Sequence, residues 1–164
     1  MSNNPIQWSA LGSAVTLLQS SATATGWVGA LSTGFVYTGE VVDNRSGYQY
    51  GDLMVKCTPS AAWAAGDYFS GWLLRSPDNA AWEFSGLTAT STGTTATIPS
   101  RAPDFIVPVQ VNAVAQTIII PLIMLPSAYY KVAIQNNTTK ATTTTTGANG
   151  VWVYPYNDNL VATT

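Results

Sequence analysis

The fold class is decided by residues 48–57, whose sequence is YQYGDLMVKC. The second half of this segment alternates, with Leu53, Val55 and Cys57 at one set of positions and Asp52, Met54 and Lys56 at the other. Successive side chains of a strand point to opposite faces of its sheet. The alternation therefore predicts a strand with one packed face and one face that is solvated or contacted by a partner.

Similar β-rich segments, separated by turn residues, recur along the chain. This spacing is typical of an all-β sandwich or barrel. We expect a single antiparallel β-sandwich of roughly eight strands with at most one or two short helices. The other predicted strands are 34–42, 67–74, 92–98, 105–111, 117–124 and 129–135, and residues 142–146 with 151–156 form a predicted terminal hairpin around an Asn-Gly turn.

Two of the predicted strands contain proline, which cannot donate a hydrogen bond to a sheet ladder. Pro108 therefore predicts that 105–111 is an edge strand or carries a bulge. Residues 117–124 contain Pro121 and have apolar side chains on both faces. A strand that is apolar on both faces indicates sheet stacking or a contact between subunits.

The length favours one domain over residues 1–164, with residues 1–8 as a possible N-terminal arm. The arm is polar apart from Pro5, Ile6 and Trp8 at its apolar positions. These three residues are the candidate partner-binding anchors, because a few large apolar side chains carry most of the energy of an interface. The alternative is that Trp8 packs under its own sandwich. Residues 9–19 fit a short helix and an extended arm equally well.

Charge is scarce, with six basic and eight acidic residues among 164 and no histidine. A surface so neutral repels other proteins poorly, which suits a protein covered by partners. Without histidine there is no Ser-His-Asp arrangement, so we predict that the protein is not an enzyme. The net charge of −2 without a basic block argues against nucleic acid as a partner.

The longest apolar run, 118–125, is far shorter than the ~20 residues of a membrane helix, and no membrane partner is expected. Residues 1–5 have neither a basic region nor a following apolar run, so no signal peptide is predicted. We expect a soluble protein made in a cytoplasm. Cys57 has no second cysteine to pair with and is expected to be buried.

The carboxylates are scattered, and most flank predicted turns. Asp43 and Asp78 each precede an asparagine, in pairs whose short side chains bond their own backbone. A glycosidase needs two carboxylates facing across a cleft, and the sequence leaves Glu40 with Glu83 open as such a pair, so a hydrolase stays a third function class. The turn interpretation is favoured, and no catalytic residue, metal site or cofactor is predicted.

The aromatic residues are the other candidate binding feature, since aromatic rings stack on sugars. Packing in the core or in an interface is the favoured alternative. The residues considered are Trp63, Trp72, Trp82, Trp152, Tyr154 and Tyr156.

Four segments together resemble small virion proteins of tailed bacteriophages, of the jelly-roll capsid decoration (cement) type. The resemblance lies in an Asp-Asn turn before a Tyr-rich strand, a Leu-Leu-x-x-x-Asp corner and a Leu-Pro-led strand that ends at asparagine. The segments are VDNRSGYQYGDLMV at 42–55, GWLLRSPDNAAWE at 71–83, LPSAYYKVAIQNN at 125–137 and VWVYPY at 151–156.

This resemblance implies a jelly-roll sandwich that forms homo-oligomers, with a trimer favoured, and binds the major capsid protein on the outer surface of the virion. The alternative is a carbohydrate- or receptor-binding β-sandwich module of a phage fibre or tail, which would keep the same fold but expose aligned aromatic residues.

Overall fold

The computed structural model describes residues 6–8, 13–19, 31–45, 47–84 and 98–160. Within these ranges the chain forms strands, turns and loops, and no helix. The described strands are β1 (Ile6–Trp8), β2 (Val15–Gln19), β3 (Val36–Thr38), β4 (Val42–Asn44), β5 (Tyr50–Cys57), β6 (Tyr68–Ser76), β7 (Phe105–Pro108), β8 (Gln116–Met124), β9 (Ala128–Asn136), β10 (Gly150–Tyr156) and β11 (Asp158–Leu160).

The strands pair from the ends of the chain inward, and all pairs are antiparallel. β1 pairs with β11, β2 with β10, β3 and β4 with β9, β5 with β8, and β6 with β7. The pair β10–β5 completes sheet A, whose strand order is β2-β10-β5-β8. The pair β9–β6 completes sheet B, whose strand order is β3-β9-β6-β7, with β4 also paired to β9. This nested order is jelly-roll-like, and the predicted antiparallel β-sandwich is confirmed.

The core lies between the two sheets. On β5 every second residue is buried, and Leu53, Val55 and Cys57 face inward as the alternation predicts. They join Val132 and Ile134 of β9 in one apolar cluster, where each fully buried aliphatic side chain contributes about 1.5–3 kcal/mol. Cys57 is 2% exposed, and burial raises the pKa of its thiol to about 12. The prediction of a buried cysteine is confirmed.

The strand predicted at 34–42 is interrupted, because the backbone bridges the two sheets at Gly39. The N–H of Gly39 donates to the carbonyl of Val132 in sheet B at 2.8 Å. The next N–H, of Glu40, donates to the carbonyl of Leu17 in sheet A at 2.9 Å. A Cβ at Gly39 would lie 1.9 Å from the Leu17 oxygen, so this close approach of two backbones requires glycine.

The predicted terminal hairpin is wrong. β10 pairs with β2 and β5, whereas the described residues 142–146 form a single isolated bridge, from Thr142 to Pro59. The segment is tied down as a loop by the buried Asn149, whose Nδ2 donates to the carbonyl of Thr143 at 2.9 Å and whose Oδ1 accepts the N–H of Thr58 at 2.7 Å. Alternation along the sequence does not reveal such side-chain bonds, because they join residues that are far apart in the chain.

The remaining boundaries follow the predictions in part. β7 ends at Pro108 and is the edge of sheet B, as its proline predicts. The helix considered for 9–19 is wrong over Val15–Gln19, which form β2, while residues 9–12 lie outside the described residues. The strand predicted at 92–98 also lies outside them, apart from Ile98. No helix in the described part of the chain has the length and apolar character needed to cross a membrane.

Candidate binding surface

Sheet A has a second face that the core does not use, here called the outer face of sheet A. On its two central strands this face is formed by half-buried side chains at alternate positions. They are Tyr50, Asp52, Met54 and Lys56 of β5, and Trp152 and Tyr154 of β10. Large apolar or aromatic groups and two opposite charges, Asp52 and Lys56, therefore occupy the centre of the face.

Three large side chains cross this face in one line. Trp152 lies directly opposite Met54 in the antiparallel register, and Met54 lies directly opposite Ile119 of β8. Side chains directly opposite one another in neighbouring strands are in contact distance. Ile119 is 63% exposed. We call Trp152, Met54 and Ile119 the apolar row; its first two side chains are half-buried, and a contiguous apolar patch that stays partly accessible is a candidate interaction site.

The indole of Trp152 leans along β10 over Gly150. A Cβ added at Gly150 would lie 2.5 Å from Cη2 of the indole, so the space that a side chain at 150 would take is filled by the ring. The missing side chain lets the indole lie along the strand and form one end of the apolar row.

A hollow of about 230 Å³ lies beside the apolar row, lined by Asp52, Met54, Ile119 and Tyr154. The carboxylate at its rim is held in place, because Oδ1 of Asp52 accepts the N–H of Leu122 at 3.0 Å and the O–H of Tyr156 at 3.1 Å. Burial raises the pKa of the Tyr156 hydroxyl, which keeps it a donor to Asp52.

β8 is the edge strand of sheet A and is apolar on both faces, as the sequence predicts. Ile118, Ile120 and Ile123 pack against the core. On the other side Leu122 and Met124 are 55% and 76% exposed. Stacking of the two sheets therefore accounts for one face of β8 and leaves its outer face exposed.

The outer face of sheet B, by contrast, is covered by the chain itself. Trp82 and Phe84 pack on a second apolar cluster made of Val36, Trp72, Leu74 and Ala133. The ammonium of Lys131 lies 4.4 Å from the centroid of the Trp82 ring, and Lys131 is 2% exposed. Burial lowers the pKa of this ammonium. Among the described residues, the centre of the outer face of sheet B is thus covered by its own chain, whereas Ile119 on the outer face of sheet A is exposed.

The aromatic residues considered for sugar stacking divide between these environments. Trp63, Trp72 and Tyr156 are buried, and Nε1 of Trp72 donates to the backbone carbonyl of Arg101 at 3.1 Å. For these three the packing interpretation is confirmed. Trp152 and Tyr154 lie on the outer face of sheet A, where their rings are half-buried.

Two of the carboxylates, on Glu83 and Asp104, have a structural role, because both form ion pairs with one arginine. Glu83 pairs with Arg101 at 2.9 Å, and the same guanidinium holds Asp104 at 2.6 Å. Glu40 is exposed. Among the described residues no group of three Asp, Glu, Cys or His side chains is placed to hold a metal ion.

The turn interpretation of the Asp-Asn pairs is confirmed. Oδ1 of Asp78 accepts the N–H groups of Ala80 and Ala81 at 2.9 and 2.8 Å, and these bonds hold the pKa of Asp78 below its usual value. Asp43 accepts hydrogen bonds from the guanidinium and the N–H of Arg45, which lower its pKa to about 2.

The candidate arm residues are described only in part. Ile6 and Trp8 belong to β1, whose backbone pairs with β11 so that Ile6 lies opposite Leu160 and Trp8 opposite Asp158. Pro5 lies outside the described residues. Residues 6–8 thus form a two-stranded ribbon with residues 158–160, separate from sheets A and B. Their contact with a partner stays a prediction.

The apolar row is the feature that sequence reasoning did not predict as a site. The two-sided apolar character of β8 pointed to Ile119, and the alternation of β5 placed Met54 away from the core. Their alignment with Trp152 depends on the register between β10, β5 and β8.

Comparison with protein-family models, curated proteins and solved structures finds no match for this chain. Support for a function therefore comes from the fold, the outer face of sheet A and the resemblance of the four segments.

Proposed function

We propose that the protein is a structural virion protein of a tailed bacteriophage, which binds the outer surface of the assembled capsid and stabilises it as a decoration (cement) protein. The observation that carries the proposal is the apolar row on an open sheet face, in a chain with six basic and eight acidic residues. Exposed apolar side chains on a nearly neutral surface suit a protein that is covered by partners.

The corner at Asn44 supports this proposal, because it joins two of the segments that carry the resemblance. Nδ2 of Asn44 donates to the carbonyls of Tyr48 and Pro126, at 2.8 Å each. Asn44 is 3% exposed, and its Oδ1 accepts the N–H of Tyr48 at 3.1 Å. These bonds join residues 42–55 to residues 125–137, which are two of the segments that carry the resemblance.

A cement protein acts by mass action rather than by chemistry. A protein that binds the assembled shell, and not the free major capsid protein, lowers the free energy of the shell and shifts assembly toward it. It needs complementary shape and buried area, and no cofactor. Its place is the capsid surface of the virion, after synthesis in the host cytoplasm.

The contact with the major capsid protein is proposed for the N-terminal arm, with Pro5, Ile6 and Trp8 as anchors. Large apolar side chains dominate interface energies. The ribbon of β1 and β11 belongs to neither sheet A nor sheet B, so it can contact a shell without disturbing the sandwich.

Co-sedimentation with capsids tests the proposal. Purified protein is added to undecorated shells of the phage that encodes it and, separately, to dissociated major capsid protein. We expect binding to the shells only, and a higher temperature of shell disruption once the protein is bound. Binding to tail fibres or to host surface glycans, with none to shells, would support the fibre or receptor-binding alternative instead.

A further inference from the structure

We infer that the outer face of sheet A docks on the same face of a second copy of this chain, about a two-fold axis that runs along the apolar row. The inference does not rest on the proposed function, because it concerns contact between copies of the chain in solution. It also differs from the trimer that the resemblance implies.

The composition of the face favours a protein partner. Interface cores are enriched in aromatic residues and methionine and are depleted of charge. The apolar row supplies Trp152, Met54 and Ile119, and Tyr154 lies next to it on β10. On the outer face of sheet B, Trp82 and Phe84 cover the centre, and the exposed apolar side chains Tyr68 and Ile106 lie toward the β7 edge.

The charges on this face indicate that its partner is a second copy of the chain. Asp52 and Lys56 lie on β5 two residues before and two residues after Met54, so opposite charges stand about 7 Å on either side of the row. Lys56 makes no ion pair with another described residue. A face with one negative and one positive group placed symmetrically about an apolar centre is complementary to itself.

Two different two-fold axes could relate the copies, and the same charges favour one of them. An axis along the apolar row reverses the strand direction, so that Asp52 faces Lys56 of the second copy and Lys56 faces its Asp52. An axis along β5 would instead place Asp52 opposite Asp52 and Lys56 opposite Lys56, which repel. The first arrangement also brings each row residue against its own copy, with the sheets stacked at the aligned angle of about −30°.

Pairing through the second half of the β8 edge is disfavoured. Pro121 has no N–H to offer to a neighbouring strand. Leu122 has φ 57°, and its N–H is already bonded to Asp52. These features interrupt the edge ladder in the second half of β8.

The first test compares two isoleucines on the two edge strands. Ile119→Glu places a charge in the apolar row, and Ile106→Glu places the same charge on β7, where Ile106 is 55% exposed. By light scattering at about 0.1 mM, we expect the wild type and Ile106→Glu at twice the chain mass of 17.3 kDa. Ile119→Glu is expected at 17.3 kDa, with an unchanged circular dichroism spectrum.

A Lys56→Glu variant keeps the test decisive if Ile119→Glu does not fold. In the dimer, the new carboxylate at position 56 of each copy faces Asp52 of the other copy, so two repulsive pairs form. We therefore expect an association about tenfold weaker at low salt. The loss should shrink in 1 M NaCl, where the Debye length is about 3 Å. A Lys56→Glu protein that associates as the wild type does would overturn the inference.

Crosslinking tests the two-fold axis itself. With a short bis-maleimide, Met54→Cys should give a covalent dimer and no larger species, because the two thiols meet on the axis. The native Cys57 is buried and contributes no crosslink. A wild-type monomer, a trimer that Ile119→Glu leaves intact, or no crosslink at position 54 would overturn the inference. Quenching of tryptophan fluorescence by a glycan in a monomeric protein would assign the face to sugar instead.

Discussion

Oδ1 of Asp52 accepts the backbone N–H of Leu122 at 3.0 Å, and Leu122 has a φ of 57°. The contact lies where the register between β5 and β8 shifts, between Gly51 and Leu53. Left-handed backbone is costly for a branched residue, so the carboxylate stabilises a conformation that the strand alone would avoid. The result is a bulge that directs Leu122 outward at the edge of sheet A.

Removing that carboxylate should destabilise the protein. Asp52→Ala leaves the N–H of Leu122 without its charged acceptor, and we expect a loss of about 1–3 kcal/mol in the free energy of unfolding, measured with urea. Asp52→Asn keeps an acceptor oxygen and should lose less. Leu122→Gly relieves the positive φ and should be neutral or stabilising by up to about 1 kcal/mol. Equal losses for all three variants would contradict this account of the bulge.

The pair Gly71 and Phe105 offers a test of the packing between β6 and β7. A Cβ at Gly71 would lie 1.9 Å from Cζ of Phe105. Gly71→Ala should therefore cost about 1–3 kcal/mol of unfolding free energy, because neither backbone nor ring can move without strain. Replacing Phe105 with leucine should reduce the cost of Gly71→Ala in a double-mutant cycle. Additive losses would show that the clash is not the cause.

Stability should fall at alkaline pH, beginning with Cys57. Burial raises the pKa of its thiol from 9.0 to about 12, so the folded state holds this proton more tightly than the unfolded state. Its contribution is complete below pH 9 and is lost as the pH rises to 12, at about 1.4 kcal/mol per pH unit. Tyr130, with its pKa raised from 10.0 to about 12 by burial, adds a loss above pH 10.

Chemical denaturation at pH 8, 9 and 10 measures this effect. Cys57→Ala is less stable at every pH because it leaves a cavity, but its stability should change less between pH 9 and 10 than that of the wild type. Parallel curves for the two proteins would contradict the assignment to Cys57.

Deleting residues 2–8 should leave the sandwich folded and weaken the decoration of shells. The deleted segment contains β1, which contributes to neither sheet A nor sheet B. A matched deletion of residues 158–164 removes β11, the partner of β1, but keeps Pro5, Ile6 and Trp8. We expect shell binding, measured by co-sedimentation, to survive this second deletion better. If the protein without residues 2–8 binds shells as the full chain does, the arm is not the attachment device.

The fold class was predictable because, in strands with one face on the core, apolar and polar residues alternate along the sequence. Leu53, Val55 and Cys57 repeat every second residue, and the strand at 129–135 carries the same signal, with Tyr130 and Val132 facing the core. Pro108 predicted that its strand lies at a sheet edge, and turn residues such as Asp78 predicted the corners between strands. These are local properties, and sequence displays them directly.

What the sequence did not reveal depends on long-range pairing. The break at Gly39 follows from hydrogen bonds to both sheets, and the failure of the terminal hairpin follows from the buried Asn149. The alignment of Trp152, Met54 and Ile119 requires two registers between strands that are distant in the chain. A one-residue slip in either register would move one of these side chains to the other face.

A reconstruction of the virion of the phage that encodes this chain tests the proposed capsid location most directly. We expect density for a β-sandwich of this topology on the outer surface of the capsid, in contact with the major capsid protein. Density for the sandwich in the tail or fibres, with none on the shell of a particle that contains the protein, would contradict it.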